Sequence, residues 1–275
     1  MHFKSPSIQN PLIGIIGGTG PESTILMQKQ LLEIMKKRLK PLKDQDYYGV
    51  IVDNNPQIID RTVALKNNDK SIVQLYIKRA RDLEHLGVNL IIISCNTAHA
   101  FFDKIQSALS IKILNLIEET VLHFVSTYPS VKIVGLLATL GTLNSKIYQE
   151  VFSRHGVKVI VCDEDIQLKV HQAIYGIKAG YTGNSLRGTA GPQNLYKIYK
   201  SFDKNLTFQE VKLPKRIISD ALENIRLKSP QVQHIILGCT ELPIICKISQ
   251  QNYKLIDPNK IIAESSVKYF NKNNS

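Results

Sequence analysis

The feature that most constrains the fold is the alternation of short apolar runs with longer segments of helical spacing. Seven runs have the length of a β-strand and are rich in branched aliphatic residues: Leu12–Ile16, Tyr48–Val52, Leu90–Ser94, Ile111–Leu116, Lys132–Leu137, Val157–Cys162 and His234–Leu237. Segments with the period of a helix lie between several of them, namely Ser23–Lys40, Lys70–Leu86 and Leu143–His155. Strands that alternate with helices are typical of βαβ units around a parallel sheet. The pattern therefore predicts an α/β fold.

A weak internal repeat divides this pattern into two halves. The run Gly14–Gly20, GIIGGTG, matches Gly135–Gly141, GLLATLG, and in each half a later apolar run ends in a cysteine followed closely by a threonine. The matching order favours a duplicated unit, although strand–loop–helix units also resemble one another without duplication. The repeat predicts two pseudo-symmetric domains, each a small parallel sheet flanked by helices.

One atypical stretch makes the second half longer. Tyr181–Pro214 is rich in Gly, Asn, Thr and Lys, and its apolar residues have weak periodicity. Because it offers few anchors to a core, we predict a loop, a lid or an interaction insert that is mobile without ligand.

The charge balance bears on the class of partner. Lys and Arg number 35 against 23 Asp and Glu, which gives a net charge of +12. The basic residues are scattered, and the one dense cluster, KKRLKPLK at 36–43, lies at the end of a predicted helix, where cations suit the helix dipole. Such a charge suits an acidic small molecule as well as a nucleic acid. We expect the small molecule and no nucleic-acid partner.

The hydropathy and the cysteines bear on the compartment. No apolar run approaches the roughly 18 residues needed to span a bilayer, and the first residues lack the apolar core of a secretion signal. The four cysteines form no CxxC pair. We therefore expect a cytoplasmic protein with free thiols and no membrane partner.

The glycine-rich segment IGIIGGTGPEST follows a predicted strand and opens a predicted helix, with Pro21 in the first helical turn. It is neither the G-x-G-x-x-G dinucleotide fingerprint nor the G-K-[ST] phosphate loop. We expect a tight turn in which backbone N–H groups and the hydroxyl of Thr19 or Ser23 face a carboxylate.

Cys95 in SCNTAH and Cys239 in GCTELP both follow an apolar run and precede a predicted helix. Asn96 or Thr97 is expected to cap the first helix and Thr240 the second, so each thiol would lie where a helix N-terminus favours the thiolate. A single cysteine after a strand is most often a packing residue. Two in repeated positions indicate a site, since ligands of open α/β sheets bind at the carboxyl ends of the strands.

If the two halves face each other, the two cysteines flank one cleft. Acid and base groups on opposite faces of one carbon are what inversion at a stereocentre requires: one thiolate removes a proton and the other thiol delivers one. Cys162 and Cys246 lack the neighbouring threonine, and we interpret them as packing residues.

Six segments in this order carry a resemblance to a known family: GGTGPEST, DNNPQIIDRT at Asp53–Thr62, SCNTAH, GLLATLGT at Gly135–Thr142, IYGIKAG at Ile174–Gly180, and LGCTELP. Over most of its length the chain resembles the aspartate racemase branch of the aspartate/glutamate racemase family, which is independent of pyridoxal phosphate. The resemblance implies no cofactor and no metal. By the same resemblance we expect a first domain over 1–118, to which 243–275 returns, a second over 119–242 that includes the insert, and a homodimer.

The resemblance also assigns roles to residues. It implies that Cys95 and Cys239 are catalytic and that Asn96 and Thr97 hold the α-carboxylate and the amine of the substrate. Four further hydroxyls are candidate substrate-binding groups: Thr19, Ser23, Thr139 and Thr240.

Arg61 and Lys178 match the cations that bind carboxylates in family members specific for dicarboxylates. A bidentate Arg suits a carboxylate, and an added Lys rewards a second negative charge. Two features depart from the family: the segment between Lys178 and Cys239 is longer than in relatives, and Asn115 replaces a frequent His.

The predicted reaction is racemisation of an acidic amino acid, aspartate first, by a two-cysteine, two-base proton transfer. One alternative is a broad-specificity amino acid racemase, or a related isomerase or decarboxylase of the superfamily. Another is a non-catalytic, carboxylate-binding regulatory protein, against which the retention of both cysteines argues.

Overall fold

The computed structural model describes residues 11–183, 191–246 and 253–273. These residues form two four-stranded parallel sheets, which confirms the α/β prediction. The first sheet has the order β2-β1-β3-β4, with β1 Leu12–Ile16, β2 Gly49–Asp53, β3 Leu90–Ile93 and β4 Lys112–Leu114. The second has the order β6-β5-β7-β8, with β5 Ile133–Ala138, β6 Lys158–Ile160, β7 His234–Gly238 and β8 Lys254–Ile256.

The two sheets repeat the same arrangement residue by residue. Gly14 lies in the third position of β1 and pairs with both flanking strands, at Ile51 and Ile91. Gly135 lies in the third position of β5 and does the same, at Ile160 and Ile235. The alignment read from the sequence is therefore also the structural one.

The helices that surround the sheets are α1 Pro21–Leu39, α2 Arg61–Lys66, α3 Ser71–His85, α4 Phe102–Gln106, α5 Leu116–Thr127, α6 Leu140–Asn144, α7 Ile147–Arg154, α8 Glu164–Lys178, α9 Pro192–Lys200, α10 Pro214–Lys228, α11 Leu242–Ile245 and α12 Pro258–Asn273. Short 3-10 turns lie at Asp44–Asp46, Thr97–Phe101 and Phe208–Glu210. The helix predicted over Leu143–His155 is broken at Lys146, whose φ of 54° is left-handed, so two helices replace it.

Both faces of each sheet are covered, which explains why the strands read as continuous apolar runs. Between the sheets, one core contains Ile13 and Leu90 of the first sheet together with Leu136 and Ile236 of the second. Helices α1, α5 and α12 contribute to this same core. The two halves are thus joined by a shared apolar layer, and burying each large aliphatic side chain there contributes about 1.5–3 kcal/mol.

The C-terminal segment divides between the two halves, and the prediction that 243–275 returns to the first domain is wrong for part of it. β8 joins the second sheet beside β7, whereas α12 packs against α1 and α5. β8 is three residues long, and a run of that length gives no periodic signal.

The predicted insert is partly a packed helix. Its residues 184–190 lie outside the described residues, but α9 follows them, with Leu195 and Tyr199 buried. α9 packs on α8 at Gly176, where an added Cβ would lie 3.0 Å from Leu195 Cδ1. An i, i+4 pair on a nine-residue helix is too short a stripe to stand out in the sequence, so the expectation of a loop is wrong for Pro192–Lys200, while the mobility of the segment stays a prediction.

The cysteines at 162 and 246 are buried in the apolar core of the second half, as the packing interpretation predicted. Burial raises the pKa of each thiol to about 12. Over the part of the chain that the structure describes, no helix combines the length and apolarity required to cross a membrane.

Candidate active site

Cys95 and Cys239 lie beyond the carboxyl ends of β3 and β7, at equivalent positions of the two sheets, and they line the same narrow cavity. The cavity has a volume of about 10 Å³, close to that of one water molecule. The two cysteines are 6% and 7% exposed. Eight of the ten side chains predicted for the site line this cavity: Thr19, Arg61, Cys95, Thr97, Thr139, Lys178, Cys239 and Thr240.

The backbone of Cys95 is fixed by a hydrogen bond to the His99 side chain, and no side chain caps the turn that follows it. A five-residue 3-10 turn, Thr97–Phe101, follows it, and neither Asn96 nor Thr97 makes a side-chain cap, so that prediction is wrong. The buried His99 contacts the Cys95 carbonyl through Nδ1 at 2.8 Å, and its Nε2 accepts from the Leu116 N–H at 3.1 Å. Burial lowers the pKa of His99 to about 4, so the ring is neutral and Nδ1–H donates to Cys95.

The side-chain surroundings of Cys95 are cationic and donating. Arg61 is 7% exposed and donates to the carbonyls of Thr19 at 3.2 Å and Ile59 at 3.3 Å. Burial opposes the charge of Arg61, but the neighbouring Cys95 and Tyr76 raise its pKa above the ordinary value. The fully buried hydroxyl of Tyr76 also lies beside Cys95, and burial raises its pKa, so it stays a protonated donor.

The surroundings of Cys239 are acidic and accepting. Its Sγ–H donates to Glu241 Oε2 at 2.9 Å. Burial and the Glu241 carboxylate raise the pKa of Cys239 well above the ordinary value, while Lys178 acts in the opposite direction. The expectation that a helix N-terminus favours the Cys239 thiolate is therefore wrong: α11 has only four residues, and Thr240 does not cap it.

Ser23 and the glycine-rich turn lie behind Glu241. The Ser23 hydroxyl is 2.8 Å from the Gly20 carbonyl and 3.4 Å from Glu241 Oε1, and Thr240 Oγ1 is 3.1 Å from Glu241 Oε2. At Gly20, whose φ is 148°, an added Cβ would lie 1.7 Å from Glu241 Oε1. A hydroxyl next to this turn does face a carboxylate, but the carboxylate belongs to the protein.

Two further sets of polar contacts join the halves beside the cavity. The Thr97 hydroxyl lies 3.0 Å from that of Thr139 and 2.9 Å from that of Thr142. Tyr175 of α8 donates to Asp60, the residue that caps α2, at 2.5 Å. These contacts narrow the cavity from two sides.

Asn96 and Ser23, predicted for the site, do not line the cavity. Asn96 is buried, and its Oδ1 accepts from the Tyr148 hydroxyl at 2.5 Å. Ser23 contacts Glu241 instead. Lys178 lines the cavity and is half-buried, with its Nζ 4.9 Å from the centre of the Tyr175 ring.

Four cavity residues were missed by the sequence reasoning: Asp60, Thr62, Tyr175 and Glu241. Each lies within three residues of a predicted site residue: Asp60 and Thr62 in DRT, Tyr175 in YGIK, and Glu241 in CTE. Tyr175 could have been found, because it lies three residues before Lys178 and residues i and i+3 share one face of a helix. Within 11–183, 191–246 and 253–273, no group of three or more His, Cys, Asp or Glu side chains is arranged to hold a metal ion.

Comparison of the chain with known proteins identifies its family. The family model described as Asp/Glu/Hydantoin racemase matches residues 16–191, and the chain belongs to this family. It is therefore an amino acid racemase, an isomerase, as the resemblance predicted.

Three similar proteins bear on the family and the fold. The broad specificity amino-acid racemase RacX of Bacillus subtilis (strain 168) is 29% identical over 258 residues, which covers 93% of this chain and 96% of RacX. The Picrophilus torridus aspartate racemase structure is 26% identical, with a TM-score of 0.72 and 94% of each chain covered. The glutamate racemase of Francisella tularensis subsp. tularensis SCHU S4, in complex with D-glutamate, shares the fold with a TM-score of 0.64 at 20% identity, over 97% of this chain and 83% of the other.

Proposed function

We propose that the protein racemises an acidic amino acid, aspartate first, by proton transfer between the substrate Cα and two cysteines. One observation carries this proposal: Cys95 and Cys239, from equivalent positions of the repeated fold, line one cavity. A carbon held between them would present one face to each sulfur. That arrangement suits inversion and has no use in simple binding.

In the proposed mechanism, one cysteine enters as a thiolate and the other as a thiol. The thiolate takes the proton from Cα and becomes a thiol, and the electron pair of the broken C–H bond stays on the substrate as a carbanion delocalised into the α-carboxylate. The second thiol then gives its proton to the opposite face of Cα and becomes the thiolate. The substrate leaves inverted, and the two sulfurs have exchanged roles.

Arg61 and Lys178 give this cavity its preference for acidic substrates. The buried Arg61 has an Nε without a partner among the described residues, so part of the guanidinium remains for a carboxylate. Lys178 supplies a second cation from the other half of the molecule. A cation beside the α-carboxylate also stabilises the negative charge that develops in the transition state.

Broad specificity is the second candidate, since RacX, at 29% identity, is named a broad specificity amino-acid racemase. The aspartate racemase of Picrophilus torridus, at 26% identity, supports the first candidate. In the narrow cavity the Arg61 and Lys178 cations favour an acidic side chain, which is why we place aspartate first.

The test is a chiral chromatographic assay of both enantiomers of aspartate, glutamate, alanine, serine, lysine and arginine, with Cys162→Ser as the matched cysteine control. We expect conversion of aspartate by the wild type and by Cys162→Ser. Comparable rates for basic and neutral substrates would replace the proposal with broad specificity. If no substrate exchanges its α-proton in D₂O, the protein is not a racemase of free amino acids. The homodimer and the cytoplasmic location stay predictions.

A further inference from the structure

We propose that Glu241 is a positioning residue that keeps the proton on Cys239, so that in the resting enzyme Cys95 is the base and Cys239 is the acid. This inference rests on the proposed function, since it says which sulfur enters in which form. The fold repeats, but the charges around the two sulfurs do not, and this difference breaks the symmetry of the pair.

Glu241 acts on Cys239 through a direct contact. Its Oε2 accepts the Sγ–H hydrogen bond at 2.9 Å, and the carboxylate is only 2% exposed. Ionising Cys239 would remove the donated hydrogen and place two anions in contact at low dielectric, which is strongly unfavourable. The thiol is therefore the stable form of Cys239.

The other titratable groups near Cys239 do not reverse this preference. Lys178 of α8 favours the thiolate, but it is half-buried and makes no ion pair or hydrogen bond with Cys239 in the described structure. Tyr148 of α7 is fully buried, and burial raises the pKa of its phenol, so it carries no charge. The hydrogen-bonded Glu241 is the nearest of these groups.

Cys95 faces groups of the opposite kind. The buried guanidinium of Arg61 and the buried hydroxyl of Tyr76 are its charged and polar neighbours, and Arg61 Nε and Tyr76 OH each have no hydrogen-bond partner among the described residues. Tyr76 in turn has Arg79 nearby, which is paired with Asp53. A thiolate at Cys95 would have a cation and a donor, whereas a thiolate at Cys239 would have a carboxylate.

The chain holds Glu241 in position with the glycine-rich turn. Gly20 leaves space that any Cβ would fill, at 1.7 Å from Oε1, and the hydroxyls of Ser23 and Thr240 lie 3.4 Å from Oε1 and 3.1 Å from Oε2. The glycine-rich turn of the first half thus fixes the Glu241 carboxylate, which in turn controls Cys239 of the second half.

The consequence for turnover is a pair of enzyme forms with unequal populations. When Cys95 takes the Cα proton and Cys239 delivers its own, the enzyme is left with Cys95 as thiol and a Cys239 thiolate beside Glu241. This second form returns to the first by turning over the opposite enantiomer or by proton exchange with solvent. Because the two enantiomers have equal free energies, kcat/KM must be equal in both directions, and the asymmetry has to be measured in the free enzyme.

The test is competitive alkylation of the full chain with iodoacetamide, in which mass spectrometry gives the rate at each cysteine. Only thiolates react, and the two cysteine residues are almost equally buried and line the same cavity, so cavity opening cancels in the ratio of the Cys95 and Cys239 rates. The two packing cysteines, whose thiols have pKa values raised to about 12, serve as unreactive references: Cys162 and Cys246. We expect Cys95 to react at least about tenfold faster than Cys239.

Glu241→Gln should raise the rate at Cys239 at least about tenfold and leave the rate at Cys95 nearly unchanged. The matched control Glu223→Gln removes an exposed carboxylate of α10 and should leave the ratio as in the wild type. Gly20→Ala displaces the Glu241 carboxylate without altering it and should act in the same direction, so the inference remains testable if Glu241→Gln does not fold. Equal reactivity of the two cysteines in the wild type, or an unchanged ratio in a folded variant at Glu241 or Gly20, would overturn it.

A second measurement follows the Cys239 thiolate directly by its ultraviolet absorbance. In Cys95→Ala, the titration midpoint of Cys239 should fall by at least about one pH unit when Glu241→Gln is added, after subtraction of the Cys95→Ala/Cys239→Ala baseline. A midpoint that does not fall contradicts the inference.

Racemisation assayed on the same wild-type protein separates the two proposals. Asymmetric labelling without turnover refutes the function alone, and turnover with symmetric labelling refutes the role of Glu241 alone.

Discussion

Cys95 and Cys239 stand at matching positions of two sheets that have the same strand order, yet their sulfurs meet opposite chemistry. The first has a buried guanidinium, Arg61, and a buried phenol, Tyr76, as neighbours, whereas Glu241 accepts a hydrogen bond from the second at 2.9 Å. The backbone of the repeat sets where each sulfur lies, while residues on loops and neighbouring helices set its charge. A duplicated fold can therefore carry two copies of one residue in two different states.

The largest effect should come from removing either sulfur. Cys95→Ala and Cys239→Ala should each reduce racemisation by at least about 10²–10⁴-fold, since inversion needs an acid and a base on opposite faces. In D₂O, early turnover by the wild type should place deuterium in the product enantiomer while the remaining substrate stays mostly unlabelled.

The same labelling experiment decides whether the two halves act as a pair. Equal early labelling of both enantiomers would point to one shared base. A variant of Cys95 or Cys239 that keeps its activity would remove that cysteine from the mechanism.

The next largest effect should come from removing either of the two cations of the site, one of which is contributed by each half. Arg61→Ala should lose about 2–5 kcal/mol of transition-state stabilisation, roughly 30- to 5,000-fold in kcat/KM, because it removes a buried cation from a carboxylate. Lys178→Ala should lose less, since Lys178 is half-buried and screened. The exposed Lys212 of the Lys212–Asp220 ion pair provides the control, and Lys212→Ala should leave kcat/KM unchanged. An Arg61→Ala enzyme with wild-type kcat/KM would show that Arg61 does not bind substrate.

A smaller effect concerns acid stability, because each half contains a buried neutral histidine that accepts from a backbone N–H. The second half also contains the buried His234, whose pKa is lowered by burial. His99 Nε2 accepts from the Leu116 N–H at 3.1 Å, His171 Nδ1 accepts from the Leu140 N–H at 3.3 Å, and burial lowers the pKa of both to about 4. The unfolded chain, with a histidine pKa near 6.5, binds more protons between these values. The free energy of unfolding should therefore fall as the pH drops from about 6.5 to about 4, by at most about 1.4 kcal/mol per pH unit for each histidine.

Urea unfolding as a function of pH measures this contribution. His99→Gln and His171→Gln should each flatten the slope between about pH 4 and 6.5, and their difference reports which of these two histidines contributes more to the acid sensitivity. His85→Gln, at an exposed position on α3, should retain the wild-type slope. If neither buried variant flattens the slope, these histidines are not the source of the acid sensitivity.

The smallest effect on activity should come from the packing cysteines, which occur only in the second half. Cys162→Ala and Cys246→Ala should keep kcat/KM within about twofold and lower the free energy of unfolding by about 1 kcal/mol. Thermal unfolding and the chiral assay on the same samples provide both numbers. A large loss of activity in a stable Cys246→Ala protein would extend the site beyond the cavity described above.

The repeat and the strands could be predicted because their signals are local and periodic. β1 has the predicted bounds, Leu12–Ile16, and Gly14 and Gly135 occupy matching positions in their sheets. β8 and α9 were missed because a three-residue strand and a nine-residue helix with two buried anchors depend on tertiary packing.

The site could be predicted as a set of residues but not as an electrostatic arrangement. Cys95, Cys239, Arg61 and Lys178 all line the cavity, as expected. The state of Cys239 depends on which carboxylate the chain brings within hydrogen-bond distance. A carboxylate facing the turn was expected, but no local pattern showed that it would be Glu241, because the space for it is made by Gly20, more than two hundred residues away in the sequence.

The narrow cavity has a consequence for how strongly the protein can hold its substrate. A volume of about 10 Å³ accommodates one water molecule, so an amino acid binds only to a conformation in which the contacts across the cavity, such as Tyr175 to Asp60, have opened. The apparent dissociation constant is then the intrinsic one divided by the fraction of molecules that are open. If about 1% are open, affinity falls about a hundredfold, and a Tyr175→Phe substitution that favours opening would tighten apparent binding while removing a hydrogen bond.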